Sequence, residues 1–121
     1  MGSIFNPFKP FTPSVQHLRP TRTMSAIYTE VAAQATVLAE RLELTAKTAK
    51  DVKDKNTTRD AAVYCRRFAS RSTKAAETVA RLFDDGSLKE YCRRFDNYLK
   101  QFITFAEVTE KELLEIDKRQ L

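Results

Sequence analysis

Residues 82–95 read LFDDGSLKEYCRRF, and the punctuation in this stretch decides the fold. Asp84-Asp85-Gly86-Ser87 interrupts two long helical patterns. A glycine there suits the left-handed turn that ends many helices, and Ser87 with Glu90 three residues on has capping-box spacing for the next start. One helix therefore ends near Phe83, another begins near Leu88, and the two fold back as an antiparallel hairpin.

Upstream of the turn, Ala61, Cys65, Phe68, Ser72, Ala75, Val79 and Leu82 step by threes and fours, predicting a helix over 58–83. Downstream, Leu88, Tyr91, Phe95, Tyr98, Leu99, Phe102, Phe105, Ala106, Leu113 and Ile116 predict a helix over 88–118 with the most aromatic face in the chain. Further upstream, Met24, Tyr28, Val31, Ala35, Leu38, Leu42, Thr45, Ala49 and Val52 predict a helix over 24–55, flanked by Ala32, Ala33, Ala39 and Ala46 that let a neighbour approach closely. Its end is rich in lysine (Lys47, Lys50, Lys53, Lys55), which complements the negative end of the helix dipole. Asn56-Thr57-Thr58 reads as the break and N-cap before the next helix.

The rest of the composition agrees. All four prolines lie in the first twenty residues, and the only glycines are Gly2 and Gly86. A chain so poor in breakers from Thr21 onward cannot turn often enough to build a sheet. The expected fold is all-α: an antiparallel bundle of three long helices over 23–121, incomplete relative to a four-helix bundle, with coiled-coil-like seams and an extended Pro-rich arm over 1–22. Phe5, Phe8 and Phe11 recur every third residue in that arm, a spacing that a polyproline-type turn would align on one side. The arm then reads as a strip docking on the bundle, an interfacial membrane anchor or an unstructured leader. Gly2 is followed by Asn6 where a myristoylation signal wants Ser or Thr, and the acid-free start shares its composition with organellar presequences without their amphipathic helix.

Several chemistries are not expected. The single histidine, His17, sits in the arm, so the helical part lacks the base of a Ser-His-Asp or Cys-His site and cannot form a His-rich metal centre. Two glycines cannot build a phosphate-binding loop. The reading is no enzyme, no cofactor, no metal and no small-molecule substrate. Cys65 and Cys92 stand far apart along the predicted hairpin and are expected as free, buried thiols of a cytoplasmic protein. No apolar run approaches the roughly 20 residues of a membrane span, which leaves peripheral attachment as the only membrane association expected.

Charge narrows the partners. The 121 residues carry a net charge of +5, and residues 66–94 hold eight basic against four acidic groups. The pentapeptide Tyr64-Cys65-Arg66-Arg67-Phe68 recurs as Tyr91-Cys92-Arg93-Arg94-Phe95, placing paired arginines outward and Cys and Phe inward. Nothing else repeats around the two copies, so no duplication is inferred. Arg66, Arg67, Arg71, Lys74, Arg93 and Arg94 are the candidate contacts to an acidic membrane or a partner, with Phe5, Phe8 and Phe11 as candidate anchors. Nucleic acid is a weaker expectation, because the aromatics that would stack on bases lie on the seams.

The segment from Leu44 to Leu114 resembles the N-terminal helical bundle of mixed-lineage kinase domain-like (HeLo-like) proteins of fungal type. The resemblance rests on the lysine-rich helix end Ala46-Lys47-Thr48-Ala49-Lys50-Asp51-Val52-Lys53, an Asn start, a Cys-containing helix and the spacing of Leu88, Phe95, Leu99 and Phe102. It implies a four-helix bundle that serves as an adaptor in cell death or signalling, or that oligomerises and disrupts membranes through a basic surface. It implies no catalytic residue. The expected role is thus a non-enzymatic interaction module with affinity for acidic membranes. The alternatives are a self-assembling or partner-binding bundle whose open seam receives another helix, and a nucleic-acid accessory protein.

Overall fold

The computed structural model describes residues 20–82 and 86–120, with side chains from Met24 onward; of the proposed arm over 1–22, residues 1–19 with Phe5, Phe8 and Phe11 lie outside the described residues, and residues 20–22 belong to the first helix instead of the arm. Among the described residues three helices follow in order: α1 (Pro20–Thr48), α2 (Val52–Arg81) and α3 (Gly86–Gln120). At 1.5 Å per residue they are about 43, 45 and 52 Å long. No strand occurs among the described residues, and the fold is all-α.

Cross-helix contacts give the directions. Ser25 Oγ donates to the Ala76 carbonyl at 2.9 Å, and Ser72 Oγ donates to the Tyr28 carbonyl at 2.7 Å, so α2 runs antiparallel to α1. The Arg71–Tyr98 and Arg119–Asp54 contacts make α3 antiparallel to α2. Tyr28 meeting Asp96 and Arg41 meeting Asp117 make α3 parallel to α1.

Alanine governs the first interface. Ala32 and Ala39 on α1, and Ala62, Ala69 and Ala76 on α2, recur every seventh residue and are all buried. The Ser25–Ala76 and Tyr28–Ser72 contacts set a register in which Ala32 stands level with Ala69, and Ala39 with Ala62. Side chains of one carbon let these two backbones approach closely along their length. The second interface is built from rings: Phe68 stacks on Phe102 with centroids 4.0 Å apart and planes 2° apart, and Tyr64 packs on Phe105 at 4.4 Å. Tyr28 brings α1 into the same layer, 4.5 Å from Phe95.

Of the expected inward positions, Met24, Tyr28, Val31, Ala35, Leu38, Leu42, Cys65, Phe68, Ser72, Ala75, Val79, Leu88, Phe102, Ala106, Leu113 and Ile116 are buried. Tyr91, Phe95, Tyr98, Leu99 and Phe105 are half-buried and pack against that core.

The helix ends differ from the expected 24–55, 58–83 and 88–118. Helix α1 starts at Pro20, which the first turn accepts because the amide that proline lacks would have no helical partner there. The first break falls at 49–51 rather than at Asn56-Thr57-Thr58. Asp51 has extended backbone (φ −85°, ψ 130°) and its side chain accepts from the Lys53 amide, so it caps α2. Val52 consequently opens α2 and is 66% exposed instead of extending the α1 seam. Thr58 lies inside α2, buried, with its hydroxyl donating back to the Asp54 carbonyl at 2.7 Å. Lys47 does lie in the last turn of α1, and Lys55 serves the same end from the next helix, its Nζ donating to the Ala46 and Lys47 carbonyls. Helix α2 stops at Leu82, whose extended backbone directs its amide to the Val79 carbonyl. Gly86 is the first residue of α3, which puts Ser87 inside the opening turn and not at the N-cap.

Candidate functional site

Helices α2 and α3 present a groove lined by residues at helical spacing from both. At the end near the second turn, Arg71, Lys74, Arg94, Tyr91, Phe95 and Tyr98 line a cleft of about 370 Å³. Arg71 lies 5.5 Å from the Tyr98 ring centre, within cation–π range, and its Nη1 donates to the Tyr98 hydroxyl at 3.4 Å. Arg94 Nε donates to Glu90 at 2.8 Å, which fixes the guanidinium beside Tyr91. Lys74 is exposed and has no ion-pair partner among the described residues. Three cations from two helices thus surround three half-buried rings.

The sequence candidates separate in space. Arg71, Lys74 and Arg94 come together in this cleft. Arg66 turns toward α1 instead, where Nε and Nη2 donate to the two oxygens of Glu43 at 3.0 and 2.8 Å; these bonds hold the Glu43 carboxyl below its ordinary range. Arg93 shares Glu90 with Arg94, and the hydrogen bonds from the two guanidinium groups lower the Glu90 carboxyl likewise. Arg67 is exposed on α2, seven residues from Lys74 and hence on the same face two turns away.

A second hollow was not anticipated. At the opposite end of the groove, Leu42, Leu113 and Ile116 floor a space of about 390 Å³ walled by Tyr64 and Phe105. Its charged lining is acidic, from Asp60 and Glu112, both exposed. Between the hollows runs the ring layer of Phe68, Phe102 and Tyr98. The groove is therefore basic at one end, acidic at the other and aromatic in between. Fifty-two residues separate Asp60 from Glu112, so no linear motif announces the acidic end.

Deeper in the bundle, the Tyr28 hydroxyl donates to Asp96 Oδ1 at 2.9 Å. Burial raises the Asp96 carboxyl and, with the Asp96 charge beside it, the Tyr28 hydroxyl. Cys65 and Cys92 are both free thiols, Cys65 buried and Cys92 half-buried rather than buried. Burial pushes Cys65 up to about 12 and raises Cys92 as well, so both are protonated at neutral pH.

Among the described residues no group of three His, Cys, Asp or Glu is placed to hold a metal ion, and no helix is long and apolar enough to cross a membrane. What the groove offers chemically is recognition: cations for an anionic group and rings for an adjoining apolar one. The chain matches no protein-family model, no curated protein and no solved structure.

Proposed function

We propose that this chain is a non-enzymatic helical interaction module of the cell-death or signalling-adaptor type, which docks on acidic membrane surfaces through the basic end of the α2/α3 groove. The observation that carries this reading is the convergence of Arg71, Lys74 and Arg94 around Tyr91, Phe95 and Tyr98. A Lys or Arg near an anionic leaflet contributes about 1 kcal/mol, so three contribute about 3 kcal/mol. That alone falls short of the roughly 4 kcal/mol of millimolar binding. Docking therefore needs shallow insertion of the half-buried rings, a further charge such as Arg67 or Arg93, or several copies on one surface, and it is reversible and salt-sensitive.

Vesicle flotation tests this. The chain is expected to float with phosphatidylserine-containing vesicles at low salt, to stay behind with neutral phosphatidylcholine, and to be released as salt rises. Arg71→Glu with Lys74→Glu is expected to abolish flotation, whereas Arg66→Glu, on the α1 side, leaves most of it. Equal recovery on neutral and anionic vesicles removes the membrane reading. Removing residues 1–19 separates the contribution of Phe5, Phe8 and Phe11 from that of the cleft.

A further inference from the structure

The two hollows belong to one groove, and the register of α2 on α3 makes its charge pattern self-complementary. The Tyr64–Phe105 and Phe68–Phe102 ring pairs and the Arg71–Tyr98 contact set which residues stand level across the groove. They put Arg67 of α2 level with Phe102 and Ile103 of α3. Asp60 and Lys74 then lie seven residues to either side of Arg67, and Glu112 and Arg94 lie nine residues to either side of Ile103. Both helices thus carry an acid and a base at equal distances, to within a residue, from one midpoint, with the acids toward one end and the bases toward the other.

From this symmetry we infer that the occupant of the α2/α3 groove is a second copy of this chain, lying antiparallel across it on a two-fold axis at the level of Phe68 and Phe102. A two-fold axis perpendicular to the groove and in the plane of contact sets α2 against α2 and α3 against α3, each pair antiparallel. Asp60 of one copy then meets Lys74 of the other, and Glu112 meets Arg94, each pair occurring twice. Tyr64, Tyr98 and Phe105, which the monomer leaves half-buried, supply the apolar contact between the charged ends. Turning one copy end for end, so that the two lie parallel, would set acid against acid and base against base. The pattern therefore selects direction as well as partner. One feature opposes the pairing: the two copies of Arg67 approach each other on the axis. The dimer is accordingly modest in affinity.

This goes beyond the membrane reading and does not depend on it. Pairing covers Arg71, Lys74 and Arg94, so a copy engaged in the dimer cannot use its cleft on a membrane.

Sedimentation equilibrium of the full chain over a wide concentration range, without lipid, tests the inference. A monomer–dimer equilibrium is expected. Lys74→Glu or Asp60→Lys weakens it at least about ten-fold, because each change acts at two symmetry-related contacts. The double reversal, Asp60→Lys with Lys74→Asp, restores it to within about three-fold of the native chain. Arg67→Gln, which relieves the like charges on the axis, tightens it. Asp60, Arg67 and Lys74 are all exposed, and the restoring double variant shows that loss in the single ones is not misfolding. A chain that stays monomeric to millimolar concentration overturns the inference and leaves the groove to residues 1–19 or a foreign helix. A dimer indifferent to both single reversals, or weakened by Arg67→Gln, overturns it as well.

Discussion

Helix α2 meets its two neighbours in opposite ways. Toward α1 it offers alanine every seventh residue, and the backbones come close enough for Ser25 and Ser72 hydroxyls to reach carbonyls across the interface. Toward α3 it offers Tyr64 and Phe68, which hold the third helix farther off on stacked rings. The close interface packs backbone near backbone. The ring interface leaves a groove, and its edges carry the charges that α2 and α3 do not spend on each other. Side-chain size at the seam therefore decides where this bundle leaves a groove.

The sharpest way to break the ring interface is Phe102→Ala. It removes a fully buried ring stacked on Phe68 and is expected to cost about 3–5 kcal/mol, read as a lower urea midpoint with α3 amides losing protection first. The close interface should fail in the reverse direction, by enlargement. Ala39→Leu has nowhere to put three extra carbons and is expected to cost about 2 kcal/mol by the same measurement. A loss there much smaller than that of Phe102→Ala is compatible with the contrast; a gain is not. Ser72→Ala removes one cross-helix hydrogen bond, with an expected cost of about 1 kcal/mol, smaller than either packing change.

The smallest effect concerns Asp96. Its carboxyl is raised in the folded state, so folding favours the protonated form, and its contribution to stability declines as pH rises from the unfolded value through the folded one. At neutral pH Asp96→Asn keeps an acceptor for the Tyr28 hydroxyl and removes a charge that burial disfavours. Its melting temperature is expected to be unchanged or slightly higher. Glu43 and Glu90 act with the opposite sign. Their carboxyls are lowered by arginine, so their contribution is present above the ordinary glutamate value and fades as pH falls through the folded one.

Much of this contrast is legible in the sequence. The step of threes and fours identifies the buried faces; of the four alanines expected to allow close approach on α1, Ala32 and Ala39 are buried, Ala46 is half-buried and Ala33 is exposed. The partner alanines at 62, 69 and 76 become meaningful only once the register is known. The first break was misplaced because Asn56-Thr57-Thr58 and Asp51 offer competing caps. Asp51 wins locally, since its side chain accepts from Lys53, while the Thr58 hydroxyl is satisfied inside the helix by the Asp54 carbonyl. The basic candidates were legible as a cluster along the chain but not in their division. Arg66 lies one residue from Arg67, yet it faces α1, because neighbouring positions on a helix point about 100° apart. The acidic end of the groove was invisible, since Asp60 and Glu112 meet only through antiparallel pairing.

Docking through the basic end of the ring-lined groove is open to amide shift mapping of the full chain, with phosphatidylserine-containing and neutral bicelles in parallel. The largest changes are expected around Arg71, Lys74, Arg94 and Tyr98, and only with the anionic lipid. Changes centred on the α1 side near Glu43 and Arg66, or the same pattern with both lipids, rule out docking by this surface.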